Sequence, residues 1–349
     1  SAPSLQPEKN ASPSMKKPVV ATTRPLSAVP AGPLWQAQPI FNYRGLGRQA
    51  NPAIQASLLP AQTVSAADAR AAAEAAAALH TAADATASLL ARVAEDPTMT
   101  VTTREEERII ASTLPAVGVQ AMAGFESVTL LLQGDLDVQT ALPVQHGITA
   151  SAGDVVWNGA GAGVLTRTLP GPVLREQGGT IEAVSLWINL PASGKLSDPH
   201  LQHLKAADMP TIVLPDSAGT LRVIAGEWKG ELGPAETVQP LQLWDVHVKA
   251  GHTVTLPLPR KWYAQLVMLT GKIHIDFWPS YIRSPELILL DALGDGTTFT
   301  TQEDTHLLVL CAETLNETIA GTDALVFADQ AHLQDAQARL EAGGFGTLD

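Results

Sequence analysis

Nine histidines and one cysteine carry most of the reactive chemistry in this 349-residue sequence, and their spacing decides how much of it is usable. His200 and His203 lie three apart with Asp198 and Asp208 nearby. On a helical turn that spacing puts both imidazoles on one face, where they could bind a surface metal; an exposed polar turn is the plainer expectation. His247 alternates with Asp245 and Lys249 against Trp244, Val246 and Val248, the period-two pattern of a strand with the histidine on its polar face. His274, between Lys272 and Asp276, reads the same way, and His146 falls in a turn. Glu126 stands alone and reads as a structural acceptor rather than a base. Cys311 closes an apolar run over 307–311, so it is expected in a core and not as a nucleophile. A lone cysteine also excludes an internal disulfide and a cysteine-held metal cluster. The glycines of 160–163 and 343–346 lack the lysine and the strand-to-helix setting of a phosphate loop. No serine sits in a nucleophile elbow.

The elements that would position these groups fall into three textures. Residues 1–60 are rich in Pro, Ala, Ser and Gln, and proline both removes a backbone donor and restricts its predecessor. They read as an extended arm, with Trp35, Ile40, Phe41 and Tyr43 as docking anchors. Residues 61–115 read as a helical extension. Ser65 with Asp68 starts an alanine-rich helix running to about residue 95, with a thin stripe of Leu79, Leu89, Leu90 and Val93. Thr103 with Glu106 starts a shorter helix to about residue 112. From residue 118 onward, short β runs alternate with Gly and Pro turns. Strands are expected over 127–132, 154–157, 183–190, 221–224, 241–248, 265–269 and 272–277, the texture of a sandwich or barrel. Residues 198–206 read as a short helical linker, and 330–342 as a closing helix stopped by Gly343-Gly344.

Three stretches within this β region resemble the pirin family: Gly124-Phe125-Glu126-Ser127-Val128-Thr129, Ala152-Gly153-Asp154-Val155-Val156-Trp157 and Leu186-Trp187-Ile188-Asn189-Leu190-Pro191-Ala192. The resemblance continues through Lys195-Leu196-Ser197-Asp198-Pro199, Leu221 to Glu227, Leu256-Pro257-Leu258-Pro259 and Leu340 to Gly346. It implies a mainly β fold of two tandem cupin barrels, a bicupin, with 116–197 as the first barrel, 198–210 as linker and 211–349 as the second barrel with its helix. Pirins hold an iron in the first barrel with three histidines and a glutamate. The positions matching those ligands here are Gln120, Met122, Thr166 and Thr168. A carboxamide, a thioether and two hydroxyls offer neither imidazole nor charged oxygen, so neither metal nor cofactor is expected.

Composition narrows the partners. The net charge of −13 opposes a nucleic-acid surface, and no apolar run reaches the roughly 18 residues of a spanning helix. Residues 1–48 carry Lys9, Lys16, Lys17, Arg24, Arg44 and Arg48 against Glu8 alone, a net +5, which leaves −18 on the rest. A basic arm on an acidic body suits attachment to other protein subunits or to anionic lipid, with Trp35, Phe41, Tyr43, Lys16, Lys17 and Arg24 as contacts. The sequence opens Ser1-Ala2-Pro3 without methionine, compatible with removal of a targeting segment. The expectation from these features is a non-catalytic structural subunit of a larger organellar assembly, with the matrix side of mitochondria as the setting. The alternatives are an iron-dependent dioxygenase resembling quercetinases and a metal-free bicupin that binds a small molecule.

Overall fold

The computed structural model describes residues 15–23, 29–30, 34, 36–42, 52–84, 87, 118–143, 147–322 and 324–349. Two compact units emerge. One comprises Leu26–Tyr43, Ile54–Ala206 and Glu317–Asp349; the other comprises Ser1–Pro25, Arg44–Ala53 and Ala207–Asn316. Among the described residues no helix is long and apolar enough to cross a membrane.

The first unit is a barrel made of two antiparallel sheets. Its larger sheet runs His200–Leu204, Val155–Gly159, Phe125–Gln133, Gly179–Asn189, Ala53–Val64, Gln36–Asn42 and Val29–Pro30 in spatial order. The smaller sheet runs Gly118–Met122, Val164–Pro170, Asp135–Thr140 and Gly147–Ser151. Alternation along each strand sends one side-chain set inward. Leu131, Val156, Ala183 and Ile181 pack with Leu136 and Val138, while Phe125, Trp187, Met122 and Val164 form a second apolar cluster. Phe125 stacks on Trp187 with ring centroids 4.1 Å apart. Each fully buried aliphatic or aromatic side chain here contributes about 1.5–3 kcal/mol relative to exposure.

The alanine-rich helix forms as expected at its start and stops early. Ser65 Oγ accepts from the Asp68 amide, and the helix spans Ala66–Ala77, burying Ala69, Ala72, Ala73 and Ala76. It ends because Thr81 and Asp84 cap a fresh turn. Asp84 accepts from the His80 and Thr81 amides, while Thr81 Oγ1 accepts from the Asp84 amide. The backbone of His80 also accepts from the Leu348 amide. Leu89, Leu90, Val93 and the helix expected from Thr103 lie outside the described residues.

The second unit repeats the plan. Its larger sheet runs Val19–Thr23, Glu286–Leu290, Tyr263–Thr270, Thr305–Ala312, Leu241–Val248, Gly219–Ala225 and Thr211–Val213. Its smaller sheet runs Thr253–Pro257, Gly296–Thr301, Lys272–Ile275 and Ile282–Arg283. The interior is mostly apolar, filled by Leu221, Val223, Trp244, Val246, Leu266, Phe299 and Leu307 among others. Trp228 meets Trp244 edge-on at 5.0 Å. Cys311 is fully buried there, and burial pushes its thiol up to about 12.

Three expectations about organisation are corrected. The Pro-rich N-terminal region is not an arm over its described length: Val19–Thr23 pairs with Glu286–Leu290 in the second barrel, and Gln36–Asn42 pairs with Ala53–Val64 in the first. Pro39 is accommodated beside a register shift between Pro39 and Phe41, a bulge that relieves the ladder there. The segment expected as a helical linker is the strand His200–Leu204, paired with Val155–Gly159. The closing helix, Gln330–Glu341 capped by Asp329, belongs to the first unit rather than the second. Its Leu333 and Ala336 pack with Val119, Leu165 and Phe345.

Candidate metal centre

Cross-strand register on the second barrel assembles a cluster that sequence spacing alone does not reveal. On Leu241–Val248, Trp244, Val246 and Val248 enter the core, so Asp245 and His247 stand on the opposite face. The neighbouring strand Thr305–Ala312 places His306 directly across from His247. The strand on the other side, Gly219–Ala225, places Arg222 directly across from Asp245; its neighbours Leu221 and Val223 are core residues. Four polar side chains thus meet on one sheet face through backbone pairing alone.

Asp245, His247 and His306 bring one carboxylate oxygen and two imidazole nitrogens within 4.8 Å of one another. Asp245 Oδ1 lies 2.5 Å from His306 Nε2 and 3.7 Å from His247 Nε2, while its Oδ2 faces Arg222 Nη2 at 3.2 Å. The two imidazoles stack at 3.8 Å between centroids. Asp245 and His306 are buried, whereas 56% of the His247 side chain is exposed, so the cluster opens to solvent at His247. Burial alone would raise the Asp245 carboxyl. The hydrogen bond and charge of His306, aided by Arg222 and His247, outweigh it and hold Asp245 below the ordinary carboxylate range. Burial, reinforced by the neighbouring His306, lowers His247 and favours its neutral, ligand-competent form.

The four substituted first-barrel positions share one face of a paired strand couple but bring no imidazole or carboxylate to it. Gln120 and Thr166 are register partners, as are Met122 and Val164. Thr166 Oγ1 accepts from Asn158 Nδ2 at 2.8 Å, and Met122 is buried in the apolar cluster of Phe125 and Trp187. Thr168 lies opposite Gly118 and Val138. Glu126, adjacent to inward-facing Phe125, is on the other face of its strand, where it accepts from the Trp157 indole. His200 and His203, on a strand rather than a helical turn, point to opposite faces. His203 Nε2 instead bonds Asp154 Oδ2 at 2.8 Å. His274 meets Tyr281 edge-on at 5.6 Å, and His146 lies outside the described residues.

Two of the residues expected to contact partners, Lys17 and Phe41, are buried within the chain. Lys17 is buried, its ammonium donating to the backbone oxygens of Trp262, Ala292 and Gly294 at 2.9, 3.3 and 3.0 Å. Lys16 bridges to Gly296, and Ile40 and Phe41 are buried in a first-barrel strand. Trp35, Tyr43 and Arg24 lie outside the described residues.

Two tandem antiparallel barrels of this kind define a bicupin. The family model for the pirin C-terminal cupin domain matches residues 243–346, which include all three potential ligands of the cluster. A Pseudomonas aeruginosa protein named "Putative quercetin 2,3-dioxygenase" is 37% identical over 229 residues, covering 66% of this chain and 79% of that protein. Pirin-1 of Arabidopsis thaliana is 27% identical over 217 residues, 61% of this chain and 72% of that protein. The crystal structure of a quercetin 2,3-dioxygenase from Acinetobacter baumannii superposes with a TM-score of 0.77 at 26% identity, covering 96% of this chain and 100% of that one. The chain belongs to the pirin family.

These relatives overturn the expectation of a non-catalytic scaffold subunit, since proteins 37% and 26% identical to this chain carry names of an enzyme. That expectation followed from the four substituted first-barrel positions. It missed His306, which turns the Asp245 and His247 pair into a three-donor set. The available signal was an Asp-x-His on one strand face with a second histidine at the head of another apolar strand.

Proposed function

We propose that this chain is a metal-dependent dioxygenase acting on a flavonol-type phenol, with its divalent ion carried by Asp245, His247 and His306 of the second barrel. The first-barrel positions do not fit a metal. Gln120, Met122, Thr166 and Thr168 supply no imidazole and no anionic oxygen, and Thr166 and Met122 are committed to a hydrogen bond and an apolar cluster. Two imidazoles with one carboxylate, by contrast, are the donor set of mononuclear non-haem iron sites that keep positions open.

The observation that carries this reading is the convergence of those three donors within 4.8 Å. A bound divalent ion there would supply Lewis-acid and one-electron chemistry toward dioxygen and a phenolic oxygen. The protein's part is defined by its own side chains. Asp245 is held as an anion by His306 and Arg222, His247 is held toward its neutral form, and the exposed flank at His247 leaves an approach for substrate.

The test is anaerobic loading with Fe(II), removal of excess metal, then addition of quercetin and oxygen. Loss of quercetin absorbance and oxygen uptake are read together. Wild-type protein is expected to turn over, and His306→Gln to lose at least about 100-fold. Turnover that is indifferent to His306→Gln, or absence of turnover with one iron per chain, contradicts the proposal.

A further inference from the structure

Resting on that metal assignment, we infer that Arg222 is the positioning residue of the centre, holding one oxygen of Asp245 so that the other stays aimed at the two imidazoles. The division of labour is written in the contacts. Oδ2 lies 3.2 Å from Arg222 Nη2, while Oδ1 is the oxygen that contacts both histidines. The two oxygens of a carboxylate are chemically equivalent and exchange by rotation about a single soft torsion. A buried carboxylate with no second anchor could turn both oxygens toward an ion.

Arg222 prevents that through its placement. It is directly across from Asp245 in the sheet, and its strand is fixed by the burial of Leu221 and Val223 on the opposite face. Its side chain is only 14% exposed, so the contact is shielded from solvent screening. A planar guanidinium constrains direction as well as charge, which an ammonium does not. Groups in this outer position fix the orientation and basicity of a ligand, and their loss typically weakens metal binding about 10–100-fold.

Co(II) provides a readout independent of turnover, since its visible absorption reports coordination number. Wild-type protein, His306→Gln, Arg222→Met and Arg222→Lys are titrated with Co(II) by equilibrium dialysis and visible spectroscopy, with circular dichroism to verify folding. Arg222→Met is expected to bind at least about 10-fold more weakly, with a changed band shape because Oδ2 is freed to coordinate. Arg222→Lys should recover part of the affinity without the wild-type band shape. An Arg222→Met protein that binds as tightly as wild type, with an unchanged spectrum, overturns the inference and leaves Arg222 a simple counter-ion. Should Arg222→Met fail to fold, the Arg222→Lys spectrum decides alone: identity with wild type refutes the directional role. If wild type binds no Co(II), or His306→Gln binds it equally well, the metal assignment itself fails. That outcome is distinct from failure of the Arg222 role.

Discussion

Lys195 offers the sharpest test of the energetics. Its side chain is buried, with the ammonium donating to Gly124 O at 2.9 Å, to Val326 O at 3.0 Å and to Asn189 Oδ1. It thereby fastens the returning C-terminal strand Leu325–Phe327 to the first barrel. Burial drags this lysine from 10.5 down to about 7, against a weaker opposing pull from Glu317. The unfolded chain keeps the proton up to about pH 10.5, whereas the folded chain releases it near 7. Between those values the unfolded state binds more protons, so stability rises with pH. Each pH unit in that window is worth about 1.4 kcal/mol. Cys311 acts in the opposite sense above pH 9, because its folded thiol holds its proton to about 12. The clean window is therefore about pH 7 to 9, where Lys195 contributes about 2–3 kcal/mol. Urea unfolding of wild type and Lys195→Met at both pH values isolates it, since other titrating groups cancel in the difference. Wild type should gain about 2–3 kcal/mol relative to the variant across that window. Parallel pH profiles would refute the assignment of a desolvated, proton-releasing lysine.

Two further outcomes follow from particular contacts. Asp135 accepts from the amides of Val173 and Leu174 at 2.8 and 3.0 Å, capping a helix, Pro172–Gln177, whose own N-cap Gly171 has no side chain to do so. Asp135→Ala should cost about 1–3 kcal/mol, seen as a lowered thermal midpoint; an unchanged midpoint contradicts the capping role. Cys311 should resist a thiol-specific disulfide reagent in the native protein at about pH 8 and react at a rate that follows urea-induced opening. Labelling as fast as a free thiol would contradict its placement in the core.

Much of the β architecture is legible in the sequence because alternation is a local signal. The expected strand over 241–248 matches Leu241–Val248, and those over 127–132 and 183–190 lie largely within Phe125–Gln133 and Gly179–Asn189. The N-terminal strands are hidden by proline, which argues against a strand unless a bulge absorbs it, and bulges depend on the partner strand. His200 to Leu204 carries a spacing that fits a helical turn as well as a strand, and only its pairing with Val155–Gly159 decides. The cluster of Asp245, His247 and His306 is the least legible feature. Alternation places His247 on the polar face of its strand, but His306 heads a uniformly buried strand, far along the chain from its partner. Register, not composition, brings the two rings face to face. The four substituted positions of the first barrel describe the donors of that barrel alone, and carry no information about those that pairing assembles on the second.

The ion proposed for this pirin-family chain lies at Asp245, His247 and His306 of the second barrel. Anomalous X-ray scattering at the iron edge, on crystals of the Fe(II)-loaded protein, tests that assignment most directly. A single strong peak within coordination distance of Asp245 Oδ1 and both imidazoles of His247 and His306 is predicted. A peak beside Gln120 and Thr166, with none at the second barrel, would contradict it.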